Sequence, residues 1–137
     1  MSETHPLFPS GEWEGFYIYP AVWGKRRESM HFVLEFAEGV VSGRGSDPVG
    51  VFIWQGVYDT KAQTCDMTKR YLGKHQVVYT GHADETGIWG TWNIRGDFSG
   101  EFHIWPKKRD DEAEDETLES MDWTEVKENV KEDTLAF

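Results

Sequence analysis

Aromatic and β-branched runs broken by glycine about every 8–12 residues constrain this chain more than any other feature. All 14 glycines of the 137-residue chain fall between residues 11 and 100, and 20 residues are Trp, Tyr or Phe. Residues 12–19 form a first run, ended by Pro20. Residues 30–37 alternate: Met30, Phe32, Leu34 and Phe36 share one face, with His31, Val33 and Glu35 on the other. Glu38-Gly39 reads as a hairpin turn into residues 40–45, and Ser46-Asp47-Pro48 as a turn into 49–58. Further runs cover 64–72, 75–82, 87–95 and 98–105. No helix-length periodic segment interrupts them, which excludes a βαβ architecture. The expected fold is all-β, with about eight antiparallel strands in an up-and-down meander. Closure into a barrel is the simplest way to remove its edges.

A local device supports closure. An aromatic residue lies two positions from a glycine in Trp13/Gly15, Trp54/Gly56, Tyr79/Gly81 and, reversed, Gly90/Trp92. Residues two apart share a face, so each glycine leaves room for a ring in a narrow barrel.

Charge divides the chain. Residues 1–108 hold 13 acidic and 11 basic side chains, whereas residues 109–137 hold 12 and 3. The expected organisation is an N-terminal arm (1–10), a barrel (11–108), and an acidic linker with a weak amphipathic helix (109–137). Leu118, Met121, Val126 and Val130 lie loosely on one face of that helix. The net charge of -11 argues against nucleic-acid binding, because it repels phosphate. Lys25-Arg26-Arg27 and Lys107-Lys108-Arg109 read as solvated turns or as contacts for the acidic tail. A single cysteine, Cys65, permits no intramolecular disulfide. No apolar stretch approaches the roughly 20 residues of a membrane-spanning helix, and the first ten residues lack the features of a secretory signal. A cytoplasmic protein without membrane partners is the expectation.

The most informative polar run is Lys69, Tyr71, His75 and Tyr79, all odd-numbered. Two turn geometries fit the intervening residues. A three-residue loop at 72–74 sets Tyr71 opposite His75 and keeps all four on one face. A two-residue Gly73-Lys74 turn flips His75 to the other face. In the first register these groups line a pocket with Trp54 and Trp92. Lysine then supplies charge, Tyr and His directed hydrogen bonds, and the Trp rings stacking surface. Such a pocket suits a small anionic or carbonyl-bearing ligand. Asp47 has two readings: capping its turn, or pairing with Arg44 or Lys69 at a barrel mouth.

Nothing in the sequence names a reaction. The five histidines show no metal-ligand spacing, G-R-G-S-D-P (43–48) is no dinucleotide fingerprint, and there is no G-x-S-x-G. No cofactor, metal site or catalytic residue is expected.

The Gly11-x-Trp13 pairing at the start of an aromatic-rich meander resembles the calycin superfamily of lipocalins, fatty-acid-binding proteins and avidins. The resemblance covers residues 11–106. It implies a small barrel, and a basic residue of the last strand packed on Trp13, for which Lys107 and Lys108 are the nearest positions. The leading functional expectation is non-catalytic binding of a small ligand. The alternative is a protein-interaction module that engages a partner through the acidic tail. A third is an isomerase or hydrolase using Tyr71, His75 and Lys69 as acid, base and electrophile.

Overall fold

A computed structural model describes residues 2–108. Eight strands run in order: β1 (Gly11–Ile18), β2 (Arg27–Ala37), β3 (Val40–Asp47), β4 (Gly50–Asp59), β5 (Thr64–Tyr71), β6 (Gln76–Asp84), β7 (Gly87–Ile94) and β8 (Phe98–Pro106). Each pairs antiparallel with the next, and β1 pairs with β8 to close the barrel. The only helical element among the described residues is one 3₁₀ turn, Ala21–Trp23, in the β1–β2 connection. None of their helices is long and apolar enough to cross a membrane. The expected acidic linker and amphipathic helix lie outside the described residues.

The alternation in sequence becomes an inside and an outside. On β2, Met30, Phe32, Leu34 and Phe36 are buried in the core while His31, Val33 and Glu35 face out. On β5, Cys65, Met67, Lys69 and Tyr71 point inward. The Glu38-Gly39 hairpin has positive φ at both residues (50° and 82°), the primed geometry that matches strand twist. The ring and glycine pairs are packing devices. A Cβ at Gly56 would overlap the Asp66 carbonyl and the Met67 backbone, so the bare glycine lets β4 and β5 approach beside the Trp54 ring.

The two ends of the barrel differ. At one end the segment before β1 folds back as a plug. Phe8 is fully buried against Phe36 and Tyr58, and Pro9 accepts a hydrogen bond from Trp13 Nε1 at 2.9 Å. Glu3 fastens this segment by accepting a hydrogen bond from the Tyr58 hydroxyl at 2.7 Å. Within the expected N-terminal arm, Phe8 is therefore part of the core. Trp13, which the calycin resemblance pairs with a basic residue, packs on Phe36 and sits opposite Pro106, while Lys107 and Lys108 are exposed. The other end, ringed by the β1–β2, β3–β4, β5–β6 and β7–β8 connections, is open.

Candidate ligand site at the open end

A cavity of about 200 Å³ enters the barrel at this open end. Its wall is largely aromatic: Tyr17, Tyr19, Trp23, Tyr71, Tyr79 and Trp92, completed by Val49, Val77, Ile94 and His75. A shallower hollow of about 300 Å³ continues it outward and shares Trp23, His75 and Ile94 with it. Trp92 is fixed by donating its Nε1 hydrogen to the Ile18 carbonyl at 3.0 Å. Trp23 stacks on Phe98 at 4.5 Å between ring centroids, tying the β1–β2 turn to the β7–β8 turn.

The β5–β6 connection decides the site. It is the three-residue loop: the Tyr71 amide donates to the His75 carbonyl at 3.2 Å, and Arg70 pairs with Gln76. Tyr71 therefore lies across from His75, their rings 5.2 Å apart. The register survives the turn, and Lys69, Tyr71, Val77 and Tyr79 all face inward. His75 keeps the same side but stands at the exposed rim. Of the six residues singled out from sequence, Tyr71, His75, Tyr79 and Trp92 line the cavity. Lys69 and Trp54 lie deeper and do not form its wall.

Lys69 occupies a chamber behind that wall, with 1% of its side chain exposed. Its ammonium sits over five rings, at 4.4 Å from the Tyr17 centroid, 4.7 Å from Phe52, 5.2 Å from Tyr71 and Tyr79, and 5.7 Å from Trp54. It donates to Asp47 Oδ2 at 2.7 Å, and the Tyr71 hydroxyl donates to the same oxygen at 2.5 Å. The other carboxylate oxygen accepts the Val49 amide at 2.9 Å and caps the β3–β4 turn. Asp47 thus fulfils both roles read from the sequence, and of its two candidate partners, Arg44 and Lys69, the ion pair forms with Lys69. Burial lowers the Lys69 ammonium to about 8, against the opposing pull of Asp47. Burial raises Tyr17, Tyr71 and Tyr79 well above the ordinary tyrosine range. The nearby Asp47 carboxylate adds to this, most directly at Tyr71, where it accepts the hydroxyl hydrogen.

One wall group is left over. The Tyr17 side chain is buried, and its hydroxyl completes no well-formed hydrogen bond among the described residues, although the Tyr19 and Tyr71 hydroxyls lie close enough to perturb it. Trp54 Nε1, deeper in the core, completes none among them either. A buried donor left unsatisfied costs about 1–3 kcal/mol, so such groups call for an explanation.

Sequence reasoning passed over Tyr17, Tyr19 and Trp23. Tyr17 was recoverable, because it shares the face of Trp13 and Gly15 on β1. Tyr19 and Trp23 come from an irregular connection that periodicity does not reach. Among the described residues no cluster of His, Cys, Asp and Glu could hold a metal ion. Cys65 is buried and its thiol is pushed up to about 12, as a packing residue would be. Searches of family models, curated proteins and solved structures return no match to this chain.

Proposed function

We propose that the chain is a calycin-like barrel that binds a small carbonyl-bearing ligand without turning it over. The observation that carries this reading is the aromatic cavity open to solvent, with the buried Tyr17 hydroxyl in its wall. A carbonyl oxygen in the cavity would accept that hydrogen once the Tyr17 hydroxyl turns toward it, and the surrounding rings would stack on an attached aromatic or flat apolar group. Size supports one ring: a cavity of about 150 Å³ holds benzene, and this one is about 200 Å³. Charge favours a neutral carbonyl over a carboxylate, because Asp47 already neutralises Lys69. A buried ion pair is often replaceable by apolar residues without loss of stability, so its presence beside the cavity supports a role in the site.

The test uses benzamide as probe and the tryptophan emission of Trp23 and Trp92 as signal. Saturable quenching or a shift is expected, with toluene binding more weakly. Tyr17→Phe should weaken benzamide by about 1 kcal/mol and leave toluene unaffected, since it removes one neutral hydrogen bond. The same substitution should change the stability of the free protein by less than about 1 kcal/mol, because the lost hydroxyl makes no well-formed hydrogen bond. Absence of any saturable response to benzamide would refute the reading.

A second reading has its own observation. Val22, Trp23, Leu72 and Phe98 are exposed at 40–79% around the open end, a concentration of apolar surface suited to a protein partner. The proposed partner contact through the acidic tail lies outside the described residues. A pull-down that survives Tyr17→Phe but is lost on Trp23→Ser would favour this reading.

A further inference from the structure

From the chamber behind the cavity we infer that Lys69 captures aldehydes covalently, as a protonated imine held against Asp47. The inference rests on the carbonyl-binding reading and makes it more specific. Three residues, Tyr17, Tyr71 and Tyr79, both wall the cavity and cage the Lys69 ammonium. The amine therefore lies one side chain beyond the space where a carbonyl would sit. Capture requires the Tyr71 hydroxyl to release Asp47 and its ring to move aside, so that a carbonyl can reach the amine.

The chemistry balances within this set of groups. Asp47 takes a proton from the Lys69 ammonium, and the neutral nitrogen attacks the aldehyde carbon. A carbon–nitrogen bond forms as the carbonyl π pair moves onto oxygen. A second nitrogen-bound proton is passed to that oxygen, giving a neutral carbinolamine. The proton held by Asp47 then returns to the hydroxyl, directly or through the Tyr71 hydroxyl, and water departs as the nitrogen lone pair forms the C=N bond. The net change is ammonium plus aldehyde to iminium plus water, with no proton gained or lost. The charge on nitrogen is positive before and after. The same carboxylate at 2.7 Å and the same five rings therefore stabilise both reactant and product. A lysine in a dry aromatic chamber is also the kind that supplies a neutral, nucleophilic amine near physiological pH. Its lowering to about 8 raises the neutral fraction at pH 7 by more than about a hundredfold over a solvent-exposed lysine.

Wild-type protein is incubated with benzaldehyde and sodium cyanoborohydride near neutral pH, digested, and mapped by mass spectrometry. The expected result is a single benzylated site at Lys69, exceeding the exposed Lys25, Lys61 and Lys74 by more than about tenfold. Lys69→Arg, which keeps the charge, should abolish that adduct. Mapping the wild-type chain decides the matter even if the variant does not fold. Label spread over the exposed lysines with Lys69 unmodified overturns the inference. If benzamide still binds in that case, the carbonyl-binding reading stands and only covalent capture is lost. If benzamide does not bind either, both fall.

Discussion

Lys69 and Asp47 share a chamber in which neither has water to fall back on, and that sets what substitutions there will do. The Asp47 side chain is also fully buried. Lys69→Met leaves a carboxylate without its counter-charge, and the loss should be about 3–5 kcal/mol. Adding Asp47→Asn should recover most of it, since the amide oxygen can still cap the Val49 amide. Urea denaturation of the two variants measures this. A single variant as stable as wild type would mean that the carboxylate is protonated or reaches solvent. The even-numbered face of β2 supplies the contrasting case. Phe32 is 4% exposed and touches Phe52 and Trp54, so Phe32→Ala should cost about 3–5 kcal/mol through cavity formation alone.

Among the elements, the β5–β6 loop has the most to decide. Its three residues, 72–74, keep Val77, Tyr79 and Ala83 in the core and set Tyr71 facing His75. Deleting Gln76 while the 72–74 loop is kept would set Arg70 against Val77. Every later side chain of β6 would then exchange faces, exporting Tyr79 and burying Thr80 and His82. The protein is expected to lose its cooperative thermal transition, followed by circular dichroism. Retention of a native-like melt would show that the loop gives up a residue to absorb the deletion. Glycine insertion in the same loop tests the converse: a four-residue loop can bulge without moving the strands, and stability should change far less.

For the whole molecule, closure of the barrel makes its eight strands, Gly11–Pro106, a complete hydrogen-bonded unit. β1 and β8 are paired, and Phe8 fills the far end. A chain ending at residue 108 should keep its β-type circular dichroism and melt cooperatively. A non-cooperative melt would show that the remaining 29 residues complete the core. The buried titrating groups predict a pH profile. Lys69 binds its proton less tightly when folded, at about 8 rather than 10.5. Between those values the unfolded chain holds a proton that the folded one has lost, so stability rises with pH. Tyr17, Tyr71 and Tyr79 are raised when folded, so above about pH 10 the unfolded chain releases protons that the barrel retains, and stability falls. A shallow maximum at about pH 9 to 10 is expected in urea midpoints, with phenolate absorbance appearing together with unfolding. A steady decline from pH 7 would show that Lys69 keeps its proton throughout.

Period-two alternation and glycine punctuation act over a few residues, so they were legible in the chain itself. They placed eight strands within a few residues of their observed ends, chose the inward face of β2, and put Lys69, Tyr71 and Tyr79 in one odd-numbered set. Alternation cannot count a turn, however, and both registers at 72–74 satisfied it. Tertiary pairing across Arg70 and Gln76 selected one. Nor can local pattern bring together residues from different strands. Asp47 meets Lys69 and Tyr71 only because β3, β4 and β5 are neighbours in a closed barrel and their inward positions fall at one depth. The irregular segments were the least legible, for the same reason. Phe8 and Trp23 carry no periodicity, and what buries one and sets the other at the mouth is the space left at each end when eight strands close.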